Sequence, residues 1–314
     1  MNRKRWLAWA TETLTDVVCE DASVTLSPHS AMPPSAPTET RDRDALRQRA
    51  AQEARWLLQC VLQEAPTRLW TAGDEPLSDS AVRRLAACVE KRRLGTPLAY
   101  VLGEWSFYGL DLRVSPDTLV PRADTELLVD VVLSAFPEPE HSFSLLDLGT
   151  GSGAIALAVA AHRPRAQVLG LDCSLSALTV ARENAQDLGL ERVRWVCGQW
   201  FAALQPGVQF DAVVSNPPYL AADDPHLASS IRFEPQNALI SGDTGLEALK
   251  CIVQNAMPYV KPRGMLCVEH GYCQASAVVE LMRAAGFCDV RTWQDLGQRD
   301  RLTCGRRGDI RREE

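Results

Sequence analysis

The sequence predicts an α/β fold, a mostly parallel seven-stranded sheet covered by helices, preceded by a smaller N-terminal helical domain. Three observations predict it. From Ser144 onward, short apolar runs alternate with helical stretches, the rhythm of a parallel sheet buried on both faces. A glycine-rich turn at 147–153 follows the first of those runs and opens a helix. Before residue 100 the apolar residues recur only at helical spacing.

In chain order, Trp6, Leu7, Ala10, Leu14 and Val17 or Val18 share one face of a first helix. The basic start could mimic a signal peptide, but Glu12 and Asp16 interrupt the apolar stretch that should follow. Residues 20–43 are rich in Ser, Pro and Thr, with few core formers, and predict a flexible insertion. Helical periodicity resumes over 45–62, where Ala54, Leu57, Leu58, Val61 and Leu62 form the buried set. A third amphipathic helix spans 78–93, with Ser78 or Asp79 as its N-cap and Gly95 just past its end. These helices make an N-terminal domain over 1–100.

Residues 101–114 alternate, with Phe107, Leu110, Leu112 and Val114 around Gly109, which predicts a β-hairpin. That hairpin belongs to a linker over 101–122, and the second domain covers 123–310, beginning with a helix at 125–136. Strands follow at 144–148, 167–171, 193–197, 211–215, 264–269, 287–293 and 301–305. Helices at about 153–162, 175–188, 245–257 and 274–285 fill the gaps. No helix separates the last two strands, so one of them is expected to run antiparallel at the edge.

Composition narrows the function classes. With 314 residues, 46% hydrophobic and 23% charged, the chain is an ordinary globular enzyme in makeup. A net charge of −7 provides no electrostatic footprint for duplex nucleic acid. The ten cysteines form no C-x-x-C pair and the five histidines are dispersed, so no metal and only free, core-filling thiols are expected. The longest apolar run, 154–161, is too short for a bilayer, and a soluble cytoplasmic protein is the expectation.

Asp147-Leu148-Gly149-Thr150-Gly151-Ser152-Gly153 leaves the first strand of the sheet. Without Cβ atoms, Gly149, Gly151 and Gly153 let the backbone turn sharply and approach a ligand. Alone, such a turn could merely pack a helix on a sheet. The second strand ends at Asp172, 19 residues beyond Gly153, where an acid can accept hydrogen bonds from both ribose hydroxyls. Read alone, Asp172 could equally be a helix cap; the two features in register favour a nucleoside. A dinucleotide remains a rival, but its glycines run G-x-G-x-x-G, whereas here they run G-x-G-x-G. S-adenosylmethionine lacks phosphate and carries an ammonium, which a nearby carboxylate suits; Asp147 either contributes or fixes the loop from behind. Trp200 could cover an adenine face or simply anchor an apolar loop.

The fourth strand delivers Asn216-Pro217-Pro218-Tyr219. Asn before Pro is pushed to extended geometry, and successive prolines stiffen the backbone. The Asn216 side-chain oxygen and Pro217 carbonyl become neighbouring acceptors suited to a planar NH2 with two hydrogens. Such a nitrogen is a poor nucleophile because its lone pair is delocalised. Fixing both hydrogens directs the lone pair at a methyl donor, and Tyr219 can pack on the flat face of the group. The four residues do not distinguish an amide from a nucleobase.

With these residues in place, the sequence resembles the PrmC/HemK family, the N5-glutamine methyltransferases of peptide chain release factors. The resemblance runs from about Leu46 to Arg306. It rests on Gly95-Thr96-Pro97-Leu98-Ala99-Tyr100, Val120-Pro121-Arg122-Ala123-Asp124-Thr125-Glu126 and the 147–153 loop. Ser215 to Tyr219, Arg232-Phe233-Glu234-Pro235 and Val268-Glu269-His270-Gly271 complete the ordered set. It implies a Rossmann-like class I methyltransferase that uses S-adenosyl-L-methionine and releases S-adenosyl-L-homocysteine. Gly149, Thr150, Gly151, Ser152, Gly153, Asp172, Trp200 and Asn216 would contact the cofactor. Asn216 and Pro217 would be catalytic, and with Pro218, Tyr219 and Phe107 would bind the substrate glutamine, with 121–126 nearby.

The substrate would be the glutamine of a Gly-Gly-Gln loop in class 1 release factors, docked by the N-terminal helices of a monomeric enzyme with no direct nucleic-acid or membrane partner. Two departures stand out. Gln199 replaces the family's usual Asp, although its amide oxygen can still accept from the adenine amino group. The 20–43 stretch is inserted between the first two helices. Alternatives are a ribosomal-protein glutamine methyltransferase, which 121–126 and Glu269-His270-Gly271 fit less well, and a DNA or RNA amino-methyltransferase, which would need a basic target-recognition region. A non-catalytic cofactor-binding protein would have no use for the Asn216 platform.

Overall fold

A computed structural model describes residues 1–25, 39–228 and 230–309. The chain divides into two compact units, Met1–Gly103 with Pro225–Phe233, and Glu104–Asp224 with Glu234–Glu314.

The first unit is helical: α1 (Arg3–Thr25), α2 (Glu39–Leu62), α3 (Pro66–Thr71), α4 (Asp79–Arg93) and α5 (Leu98–Leu102). Trp6, Ala10, Leu14 and Val18, spaced by four, are all buried, so α1 sets one stripe into the bundle. Ala54, Leu57, Leu58 and Val61 do the same for α2. Helix α4 starts where Ser78 Oγ accepts the Ala81 N–H at 3.2 Å. It ends with Gly95 at φ +89° and the Thr96 N–H turned back onto the Lys91 carbonyl at 3.1 Å. Arg92, only 1% exposed, lies on the α4 face and is held by Glu53 of α2 at 3.0 Å.

Three expectations change here. Helices α1 and α2 run into both ends of the 20–43 stretch, and its remaining residues, 26–38, lie outside the described residues. The short α3 is an addition to the expected helices. Residues 98–102 form α5 instead of beginning the hairpin: Pro97 starts the turn, and Gly103, at φ +81°, closes it on the Ala99 carbonyl.

The second unit opens with the hairpin β1 (Glu104–Phe107) and β2 (Leu110–Arg113), then α6 (Glu126–Ala135). The sheet is built from β3 (Ser144–Leu148), β4 (Gln167–Asp172), β5 (Arg194–Cys197), β6 (Phe210–Ser215), β7 (Val260–Glu269), β8 (Phe287–Gln294) and β9 (Asp300–Arg307). Between them run α7 (Ala154–His162), α8 (Leu175–Asp187), α9 (Glu247–Ala256) and α10 (Ala275–Ala284). Strand order is β5-β4-β3-β6-β7-β9-β8. From β5 to β7 every pair is parallel.

Side-chain alternation along β3 explains why both faces are covered. Leu145 joins the core under α6 and α7, and Leu146 and Leu148 join the core under α9 and α10. The antiparallel strand is β9, and it is not at the edge. It pairs with both β7 and β8, and its Leu302, Thr303 and Cys304 are buried, so the apolar end of the chain is drawn inward and β8 becomes the edge. The expectation of free thiols fails at one pair: Cys267 and Cys304 lie directly opposite on β7 and β9, Cα atoms 4.1 Å apart, joined as a disulfide. No helix of the described residues is long and apolar enough to cross a membrane, and no cluster of metal-ligating side chains occurs among them.

Candidate active site

The strand order reverses between β3 and β6, since β4 and β5 extend the sheet one way and β7 the other. A crevice opens at the C-terminal ends of strands at such a switch point. Here it is a cavity of about 450 Å3, within the range of small-ligand sites. Ser215 Oγ donates to the Leu148 carbonyl at 2.7 Å, tying the end of β6 to the end of β3. The glycine loop and the Asn-Pro-Pro-Tyr segment therefore leave the sheet side by side.

The glycine loop is held from two sides. Gly149 and Thr150 donate their N–H groups to the Leu171 carbonyl at 2.8 and 3.0 Å. Asp172 Oδ2 accepts the Gly151 N–H at 2.9 Å, and its Oδ1 accepts the Ser174 N–H at 2.9 Å. Behind the loop, Asp147 is fully buried; its Oδ2 accepts from Thr150 Oγ1 at 2.6 Å and from the Ala156 N–H at 3.3 Å, while Oδ1 has no partner. Burial pushes its carboxyl up to about 7, against the pull of Thr150 and Ala156. Asp147 thus fixes the loop from behind and does not line the cavity.

Of the predicted cofactor residues, Gly149, Gly151, Asp172, Trp200 and Asn216 line the cavity together, and Gln199 joins them. Thr150, Ser152 and Gly153 do not. Gly153 is needed for packing: a Cβ there would lie 2.9 Å from the Trp195 ring. Trp200 sits at φ +48°, and a Cβ on Gly149 would lie 3.6 Å from its ring, so the indole flanks the loop.

Sequence reasoning missed the rest of the wall, in particular Asp117, Asn237, Ser241 and Glu247. No Lys, Arg or His is among the lining residues, whereas Asp117, Asp172 and Glu247 are. A pyrophosphate would find no countercharge there; a cationic nucleoside would find three acids. The donor set therefore fits S-adenosylmethionine and disfavours a dinucleotide.

Asn216 and Pro218 reach the cavity, whereas Pro217 is buried beside them. Asn216 Nδ2 donates to Thr125 Oγ1 at 3.0 Å, which leaves its Oδ1 available as an acceptor. The Tyr219 carbonyl accepts from Gln274 Nε2 at 3.0 Å, pinning the segment's far end. Burial and the Glu269 carboxylate push the Tyr219 hydroxyl well above its ordinary value, so it stays protonated. The 120–122 backbone is fastened by buried Glu234, which accepts the Val120 N–H at 3.0 Å and pairs with Arg122 at 2.5 Å.

Phe107 is not brought to this site. It is 1% exposed and packs with Leu112, Leu128 and Val129, because β1 turns its inward face onto α6. Two residues behind Asn216 were missed as individuals: Thr125, and Glu269 at the end of β7, the neighbour of β6. Glu269 is 2% exposed and its Oε2 has no partner. Burial pushes its carboxyl up to about 7; the Thr125 hydroxyl facing it, together with Arg301 and Arg122, favours the charged form, and Asp124 opposes it. A sequence-level signal existed for Glu269, since the ends of parallel strands surround such sites; Thr125, in the turn before α6, had none of that kind.

Residues 124–268 match the family described as Methyltransferase small domain, and residues 41–103 match the PrmC N-terminal domain. The chain is 46% identical over 262 residues to a release factor glutamine methyltransferase of Burkholderia pseudomallei, covering 82% of this chain and 92% of that protein. It is 42% identical to the protein of that name from Salmonella typhimurium, covering 86% and 96%. The Escherichia coli protein of that name is 39% identical over 84% of this chain and 96% of its own. Among solved structures, the catalytic domain of hMettl16 in complex with a MAT2A 3′UTR hairpin superposes with a TM-score of 0.52. At 16% identity over 76% of this chain and 85% of that one, it shares the fold alone.

Proposed function

The chain belongs to the release factor glutamine methyltransferase family, and from that premise we propose that it methylates the side-chain amide nitrogen (N5) of the Gly-Gly-Gln glutamine in class 1 release factors. The observation that carries this reading is the direction of the Asn216 amide at the cavity. Its Nδ2 is committed to Thr125, so Oδ1 is the atom left to accept a hydrogen from a substrate NH2. The Pro217 carbonyl takes the second hydrogen. Tyr219 packs on the flat face of the amide and, with its hydroxyl protonated, brings no charge to it.

S-adenosyl-L-methionine, when bound, supplies a methyl group on a cationic sulfur and leaves as S-adenosyl-L-homocysteine. Asp172 would hold the ribose hydroxyls, Gly149 and Gly151 would admit the ligand close to the backbone, and Gln199 and Trp200 would hold the adenine. Asp117 and Glu247 would add negative potential beside a cationic ligand. The substrate nitrogen is neutral and weakly nucleophilic, so the protein's contribution is positioning, worth several kcal/mol when both N–H bonds are fixed, on the order of 7–11 kcal/mol at most. The proton lost from nitrogen can pass late to water. The helical first unit, with its exposed Trp9 and Trp56, would dock the release factor in the cytoplasm, where termination takes place.

Replacing Asn216 with Ala tests the reading. Transfer to a release factor should fall by about a thousandfold or more, as both direction and one acceptor are lost. Cofactor affinity should change by less than about tenfold, one hydrogen bond's worth. Full activity in Asn216→Ala would refute the acceptor role.

A further inference from the structure

We propose that Arg301 is a positioning residue for methyl transfer: through Asp124 it fixes the turn that carries Thr125, and Thr125 holds the Asn216 amide with its oxygen toward the substrate. The inference rests on the methyl-transfer reading above and deepens it.

A carboxamide is nearly symmetric in shape, so a half-turn about its Cβ–Cγ bond exchanges oxygen and NH2 at little steric cost. Hydrogen-bond partners set the orientation. Asn216 Nδ2 donates to Thr125 Oγ1 at 3.0 Å, which leaves Oδ1 for a substrate N–H. A flipped amide would set its own NH2 against the NH2 of the substrate, donor against donor. The place of Thr125 therefore decides how much of the time the platform is productive.

Thr125 does not sit on a self-supporting element. It ends a single turn of 3-10 helix, Ala123–Thr125, closed by its own N–H on the Arg122 carbonyl at 3.1 Å. So short a turn takes its position from its anchors. Before it, buried Glu234 accepts the Val120 N–H at 3.0 Å and pairs with Arg122 at 2.5 Å. After it, Glu126 accepts the Tyr108 N–H at 2.8 Å. In the middle, Asp124 Oδ2 lies 3.3 Å from Arg301 Nη2.

Arg301 is placed to keep that middle anchor still. Its side chain is only 12% exposed, and its Nε and Nη2 donate to Asp295 Oδ2 at 3.3 and 3.2 Å. Asp295 is buried in its turn, and its Oδ1 accepts the Arg299 N–H at 3.0 Å. The Arg301 carbonyl accepts the His270 N–H at 2.9 Å, which fastens the start of β9 to the residue after β7. An unbroken series of contacts thus runs from Asp295 through Arg301 to Asp124 and, one residue on, from Thr125 to Asn216. Of these residues only Asn216 lines the cavity, so the others act through it. The Asp124 side chain is half exposed, so its ion pair adds little to overall stability, and what it contributes is placement.

The experiment measures kcat, KM for a release factor and cofactor Kd. Wild type, Arg301→Gln, Arg301→Lys, Asp124→Ala, Thr125→Val and the double variant Asp124→Ala with Thr125→Val are compared. Arg301→Gln, Asp124→Ala and Thr125→Val should each lower kcat by about three- to tenfold, the worth of one hydrogen bond. Arg301→Lys, which keeps the cation, should be more active than Arg301→Gln. KM and cofactor Kd should hold within about twofold, because neither ligand loses a contact. The double variant should match Thr125→Val alone, since both changes break the same series.

Asp124→Ala or Thr125→Val with wild-type kcat would overturn the proposal. So would losses that multiply in the double variant, which would mean two separate routes. A raised KM at unchanged kcat would place Asp124 against the substrate instead, and a cofactor Kd that rises as kcat falls would mean general damage to the fold; either result defeats the positioning role. If Arg301→Gln fails to fold, Asp124→Ala, changed at an exposed side chain, still decides the matter. Wild-type protein that labels no release-factor glutamine would instead sink the reading on which the proposal rests.

Discussion

Asp172 Oδ2 accepts the backbone N–H of Gly151 at 2.9 Å, so the acid ending the second sheet strand holds the tip of the loop leaving the first. One carboxylate thereby shapes the loop and faces the cavity beside it.

Asp172→Ala should raise the cofactor Kd by about 10- to 100-fold, the value of one or two charge-assisted hydrogen bonds of roughly 1.5–3 kcal/mol. Titration calorimetry checks it. At saturating cofactor the turnover should recover most of its wild-type value, because the substrate platform is untouched. A Kd near wild type would remove Asp172 from the cofactor site.

Gly153 tests packing apart from binding. It sits at φ +83°, and an added Cβ would lie 2.9 Å from Trp195 and 3.1 Å from Leu157. Gly153→Ala should therefore lose about 1–3 kcal/mol beyond backbone strain. Gly109, at φ +76°, supplies the comparison, because a Cβ added there would meet nothing within 4 Å. Urea unfolding should show Gly153→Ala as the less stable of the two alanine variants; equal stabilities would contradict the contact.

The buried Asp147 makes a pH prediction. Its carboxyl is raised from 3.8 to about 7 by burial, so between those values the native chain keeps a proton that the unfolded chain has lost. Its contribution to stability is complete below about pH 4 and is lost as pH rises through about 7. Asp147→Asn removes the charge and keeps an acceptor for Thr150. The stability of Asp147→Asn relative to wild type should thus climb from pH 4 to 7, measured by urea unfolding at several pH values. A difference independent of pH would contradict the assignment.

Much of this was legible in the residues. The central strands β3 and β6 follow from the mostly apolar runs 145–148 and 212–215, because a strand buried on both faces has little polar side to confuse the pattern. The glycine loop, Asp172 and Asn216 were legible for the same reason: each terminates such a run. What was not legible depends on partners distant in sequence. The inward place of β9 depends on pairing with β7, and the Cys267–Cys304 bond spans 37 residues with no local spacing to announce it. Helix α5 hid in a five-residue stretch too short for periodicity to show. Asp117 and Glu247 reach the cavity from loops and helix starts, where composition alone predicts solvation. Phe107 is packed into the core and does not line the cavity, a placement that an aromatic near a site motif can equally have.

The central claim is the identity of the nitrogen that is methylated. Purified protein incubated with methyl-labelled S-adenosylmethionine, and separately with a class 1 release factor, ribosomal proteins, DNA and RNA, tests it most directly. The account predicts label in the release factor alone, recovered as N5-methylglutamine at the Gly-Gly-Gln position and absent when that glutamine is replaced. Label in ribosomal protein or nucleic acid, with none in the release factor, would contradict it.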